Sequence, residues 1–174
     1  MKLIVGAAMD MDAAGRKVND TGAAGVIARP PLLFLTALLI GLALDRLLVC
    51  PFAVPGTDLV HWITAASMIL LGIALFAAGI RSFARAATPV PTNQPTLVLV
   101  TTGIHSRTRN PIYLGMFLVY GGIGIAAGSP WTLMLTLPLV VTIRYGVVAR
   151  EEAYLERRFG DAYRDYMGRV PRWL

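Results

Sequence analysis

The chain has 174 residues, 56% of them hydrophobic and only 15% charged, with a formal net charge of +6 and a mean hydropathy of +0.63. Soluble domains carry about 25% charged residues, so this composition argues against a soluble module and for one integral membrane domain, with nothing that points to nucleic acid. The single Cys50 rules out an intramolecular disulfide framework.

Residues 1–29 mix Gly, Ala, Asp and Arg without sustained periodicity. Lys2-Leu3-Ile4-Val5 resembles the start of a signal peptide, but Asp10 and Asp12 cut the apolar part short of the usual ~7–15 residue core. The segment is expected to be a mobile cytoplasmic tail. Residues 30–174 then form a single membrane domain with four spans, at about 31–49, 59–80, 112–128 and 131–149, each near the ~20 residues a bilayer requires. The expected fold is therefore all-α and integral to the membrane, with a C-terminal helical hairpin and a cytoplasmic pocket.

Asp45 and Arg46 fall at the far end of the first span, where they are expected to neutralise each other at the interface. Residues 50–58 make a turn, and His61 and Trp62 open the second span as interfacial residues. Arg81 and Arg85 close that span. The proline-rich connection 87–100 has no helical prospect and ends in Leu97-Val98-Leu99-Val100, apolar but too short to cross. Only Ser129-Pro130 separates the third and fourth spans, so the two form a tight hairpin, and Gly124-x-x-x-Gly128 predicts close backbone approach in the third. The fourth helix is expected to run on to Phe159 and to stop at Gly160, with Asp161 capping a short helix to about Met167. Leu155, Phe159, Tyr163 and Tyr166 then give that end an apolar side.

Basic residues lie in the tail, in the 81–111 connection and after the fourth span, whereas the 50–58 and 129–130 turns hold none. Positive residues mark the cytoplasmic side, so both termini and the long connection are expected there.

The chemistry is concentrated in Thr101 to Gly115. Pro111 pushes Asn110 out of the helical region and suits the first turn of the helix that follows. Arg109 and Glu151 are 42 positions apart and flank one helical hairpin, so both belong at the same membrane face. Arg144 precedes Glu151 by seven residues, two turns back on one α-helical face, and is expected to face inward. These residues outline a polar pocket roofed by residues 87–108 and the C-terminal segment. On charge pattern alone a solvated collar of ion pairs competes with that reading. His105 reads as a loop residue ahead of a base, and no His/Cys cluster suggests a metal.

Arg109-Asn110-Pro111-Ile112-Tyr113-Leu114-Gly115 resembles the R-[HN]-P-x-Y-x-G signature of the isoprenylcysteine carboxyl methyltransferase and phospholipid methyltransferase superfamily. Glu151-Glu152-x-x-Leu155-x-x-x-Phe159-Gly160-x-x-Tyr163-x-x-Tyr166, closing on Val170-Pro171-Arg172, is similar to that superfamily's C-terminal pattern. The resemblance implies an integral membrane enzyme of bacterial type, in the inner membrane, that uses S-adenosylmethionine to methylate a lipophilic acceptor through a carboxyl, amine or thiol group. Membrane lipids are its surroundings and lipophilic molecules its partners. It further implies that Glu151, Glu152 and Tyr113 face the sulfonium, and that Arg109, Asn110 and the Leu99, Val100, Thr102 and Gly103 stretch hold the rest of the cofactor. Pro111 and Gly115 shape the same turn, and Glu151, Arg144 and Arg172 are the residues assigned to catalysis. Asparagine stands at 110 where eukaryotic members have histidine, so no base is available at that position. Two other readings remain beside it: an NADPH-dependent reductase of the sterol reductase type, and a non-enzymatic membrane module.

Overall fold

The computed structural model describes residues 25–49, 58–90 and 96–174. The expected tail up to residue 24, most of the 50–58 turn and residues 91–95 of the connection lie outside them. Helices α1 (Pro30–Leu47) and α2 (Leu59–Arg85) are followed by a 3₁₀ turn at Gly103–Ser106 and by α3 (Pro111–Ala126). Helix α4 (Pro130–Ile143) runs through a π-turn at Arg144–Val148 into α5 (Ala149–Phe159), and α6 (Asp161–Arg169) follows. Among the described residues there is no strand.

Among the described residues three helices are long and apolar enough to cross a membrane: Pro30–Leu47, Leu59–Arg85 and Pro130–Phe159. The first two turn residues such as Leu35, Leu39, Leu70 and Leu71 outward, as lipid-facing helices do. Helix α3 is shorter, 16 residues or about 24 Å at 1.5 Å per residue. It is the inner helix of the bundle, with α2 packed along most of its length and α1 and α4 closing the other side. Its centre buries Tyr113, Gly115, Tyr120, Gly121 and Gly122.

Of the close approach expected at Gly124 and Gly128, Gly124 meets α4 side chains, a Cβ there lying 2.9 Å from Leu133 Cδ2, but the backbone contact is found elsewhere. Gly128 ends α3 with φ +59° and would meet nothing if it carried a Cβ. The tight crossing is between α2 and α3, where a Cβ on Gly115 would lie 2.6 Å from the Gly72 carbonyl oxygen and 2.8 Å from Phe76 N. Without side chains at 72 and 115 the two backbones touch, the small-residue solution to packing apolar helices in lipid.

The Asp45–Arg46 pair is also corrected. Asp45 accepts from the Ser129 hydroxyl and, at 3.4 Å, from the Trp131 amide, while Ser129 Oγ caps α4 by accepting from Thr132 N at 3.1 Å. The carboxylate of α1 thus satisfies helix-start amides that the tight 129–130 turn leaves open. At the other end of α4, residues 25–29 lie against the bundle. The Ile27 amide donates to Gly146 O at 3.3 Å and Arg150 Nη1 to Gly25 O at 2.9 Å.

Gly160 stops α5 with φ +53°, as expected, but it also stands at the N-cap of α6. Asp161 is the first helical residue, and its carboxylate receives Arg164 Nη2 at 2.6 Å. Leu155 and Phe159 pack with Tyr163, Tyr166 and Val170 against Leu99 of the connection, which folds α6 back over the mouth of the bundle.

Candidate functional site

A cavity of about 210 Å³ lies where α3 begins and α5 emerges. Asn110, at φ −127° and ψ 52°, is outside the helical region, and Pro111 starts α3. That break turns Arg109 and Asn110 toward the C-terminal segment. Arg109 N donates to Pro171 O at 3.0 Å, Asn110 Nδ2 to Arg172 O at 3.0 Å and Thr108 Oγ1 to the same oxygen at 3.3 Å. The last residues of the chain are therefore stitched to the turn before α3.

Two carboxylates from the first turn of α5 enter from the other side. Glu152 is held by two guanidinium groups: Arg109 Nη1 lies 3.1 Å from Oε1, and Arg172 donates Nε to Oε2 at 3.0 Å and Nη2 to Oε2 at 2.5 Å. The Arg109 and Glu152 side chains are each 11% exposed, which removes the solvated-collar reading. Glu151 accepts from Tyr113 Oη at 2.7 Å, across the interface between α3 and α5. No cation pairs with Glu151 among the described residues. The two neighbours are thus unequal: Glu152 is bound by two guanidinium groups, whereas Glu151 meets a hydroxyl and no cation among the described residues.

Leu99, Val100, Arg109, Asn110, Pro111, Tyr113, Glu151 and Glu152 all line the cavity. Thr102 and Gly103 do not: both are exposed on the 3₁₀ turn, outside the roof. Gly115 is spent on the α2 crossing. Arg172 acts behind Glu152 and is absent from the lining.

Arg144 is half-buried and absent from the cavity lining, with its guanidinium carbon 5.4 Å from the centre of the Tyr145 ring. The seven-residue argument fails because Arg144–Val148 is a π-turn. Each α-helical residue advances ~100°, and the extra residue in a π-turn rotates everything beyond it by most of one such step. Arg144 and Glu151 consequently do not share a face.

The cavity also gathers residues that the sequence reading left aside: Thr96, His105, Tyr163 and Tyr166, with Phe76, Phe83 and Met116 as apolar wall. His105 is 4% exposed, and burial pushes its imidazole down to about 4. Burial pushes the Tyr163 and Tyr166 phenols up, so both stay protonated donors. The signals for these two tyrosines were the apolar spacing of the C-terminal segment and their place in the pattern that runs from Glu151 to Tyr166, neither of which says what they cover.

Residues 60–162, more than half of the chain, match the model of the phospholipid methyltransferase family. An uncharacterised protein of Haemophilus influenzae is 35% identical over 63 residues, covering 36% of this chain and 100% of that protein. The protein-S-isoprenylcysteine O-methyltransferase of Schizosaccharomyces pombe is 34% identical over 74 residues, 42% of this chain and 31% of the yeast protein, so the match spans about a third of that relative. No solved structure matches the chain. The chain belongs to the phospholipid methyltransferase family, which makes it a membrane protein of the methyltransferase class.

Proposed function

We propose that this protein transfers a methyl group from S-adenosylmethionine to a lipophilic acceptor, at the cytoplasmic face of a bacterial inner membrane with both termini on that side. The observation that carries the reading is the buried pairing of Glu151–Tyr113 with Arg109–Glu152 around one cavity. These residues fit the cofactor. Glu151 meets no cation within the described residues, and a sulfonium bound beside it would hold it in the ionised form and be stabilised in turn. The carboxylate end of the cofactor takes guanidinium donors, and Arg109 has an Nε without a hydrogen-bond partner among the described residues.

When bound, S-adenosylmethionine supplies a methyl group already activated by its leaving group. The protein's part is placement and exclusion of water. Tyr113 Oη fixes the rotamer of Glu151, Glu152 fixes Arg109, and Phe83, Leu99 and Leu155 wall the site with apolar surface. An acceptor dissolved in the bilayer reaches the site without crossing water, because the flanking helices are apolar outside.

Titration calorimetry of S-adenosylhomocysteine into the detergent-purified protein, with NADPH in parallel, tests this. Saturable binding of S-adenosylhomocysteine alone is expected. Binding of NADPH alone moves the protein to the reductase reading, and silence from both in a folded sample overturns the proposal.

A further inference from the structure

Among the described residues four buried side-chain polar atoms have no hydrogen-bond partner: Thr96 Oγ1, His105 Nδ1, Arg109 Nε and Arg109 Nη1. All three residues line the same cavity. Folded proteins leave few such atoms, and each calls for a reason. The ion pair with Glu152 and the cofactor's charged end account for Arg109. Thr96 and His105 have no such account, since neither pairs with an ionised group among the described residues.

Both are held firmly from behind. Thr96 N donates to Tyr154 Oη at 3.2 Å, and the His105 carbonyl accepts from Tyr166 Oη at 2.7 Å. The His105 ring stands edge-on to Phe83, 5.0 Å between centroids. Their backbones are fixed, and their polar tips are unspent.

We propose that Thr96 and His105 form a neutral edge of the cavity that recognises the purine base of the cofactor by hydrogen bonds. The inference rests on the cofactor reading above and adds the residues that select the base. A neutral imidazole offers one donor and one acceptor, and a threonine hydroxyl offers both. Low imidazole basicity in this buried position keeps His105 in that neutral form at pH 7. A neutral heterocycle with alternating donors and acceptors along its rim is the complement of such an edge, while Phe83, Val90 and Val100 present apolar surface to its faces. A charged ligand group would instead be drawn to Arg109 or Glu151. Exchanging the 6-amino group of adenine for the 6-oxo group of hypoxanthine reverses donor and acceptor, so the imidazole tautomer and the hydroxyl rotor must both reverse to follow, and an edge oriented for adenine disfavours hypoxanthine.

The test compares S-adenosylhomocysteine with S-inosylhomocysteine by calorimetry on wild type, His105→Phe, Thr96→Val and His105→Gln, each checked by far-ultraviolet circular dichroism and a cooperative melt. Wild type is expected to favour the adenine ligand by about tenfold or more. His105→Phe and Thr96→Val lose about tenfold in affinity for it and bring the ratio toward one, whereas His105→Gln recovers part of both. Wild type that binds S-adenosylhomocysteine without preference, or variants that keep the preference, overturn this inference and leave the cofactor reading standing. A fall in kcat at unchanged Kd also overturns it, by assigning His105 to the acceptor. Failure of wild type to bind either ligand removes the cofactor reading itself. Should His105→Phe not fold, Thr96→Val, a change of one hydroxyl for a methyl, decides the matter alone.

Discussion

Glu152 receives guanidinium groups from Arg109 and Arg172, whereas Glu151 receives the Tyr113 hydroxyl. Removing a charge from the first should expose the second-order structure of the mouth. Glu152→Gln strands two cations, one of them largely buried, and is expected to cost about 1–3 kcal/mol, toward the low end because Arg172 is 31% exposed. Glu151→Gln keeps the Tyr113 contact through its amide oxygen. It should change the melting temperature little but weaken S-adenosylmethionine, which carries the sulfonium, by about tenfold or more, and S-adenosylhomocysteine, a neutral thioether, far less. Thermal melts and titrations of the two variants check this, and the reverse ranking would refute the division of roles. His105 gives a second prediction at this scale. The folded protein holds the ring neutral down to about 4, while the unfolded chain takes up a proton near 6.5. Stability from this site is therefore full above about pH 6.5 and is lost as the pH falls toward 4. The melting temperature of wild type should drop across that window, and His105→Phe should flatten the drop.

At the scale of elements, α2 and α3 are locked by backbone contact at Gly72 and Gly115. A methyl group at 115 meets main-chain atoms, which cannot swing aside as a side chain can, so Gly115→Ala is expected to cost about 1–3 kcal/mol or to prevent folding. Gly168 in α6 has nothing within 4 Å of its Cβ position, and Gly168→Ala should be neutral or slightly stabilising. Parallel melts in one detergent test the contrast, and equal behaviour of the two variants would contradict the packing described. The π-turn is the other decisive element. Its Gly146 carbonyl takes the Ile27 amide, and a Cβ at 146 would lie 2.3 Å from Ile27 Cδ1. The segment before α1 thus seats on the irregular turn that sets the direction of Glu151 and Glu152.

For the whole molecule, the proposed topology, which rests on the distribution of basic residues along the sequence, has both termini and the cavity on the cytoplasmic side. Cys50 is the single cysteine and belongs to the opposite, arginine-free turn. A membrane-impermeant thiol reagent should therefore label Cys50 in intact bacterial cells and fail to label it from the cytoplasmic side of inverted vesicles. Labelling in vesicles but not in cells would reverse the topology. The same arrangement keeps polar chemistry at one end of an otherwise apolar bundle, since burying Arg109, Glu151 and Glu152 at mid-membrane would cost far more.

The sequence by itself determined that this is a helical membrane protein, that Asn110-Pro111 starts a helix, and that Arg109 meets the Glu151–Glu152 pair. Each follows from local chemistry: run length, the steric rule before proline, and the geometry of a hairpin that must return to its own side. Only the tertiary structure decided which carboxylate meets no cation, that Arg144 is absent from the cavity lining, that Asp45 sits at the start of α4, and that Thr96 and His105 join the cavity. Those outcomes depend on the rotation of one helix against another. A π-turn or a glycine crossing changes that rotation without leaving a periodic mark in the sequence.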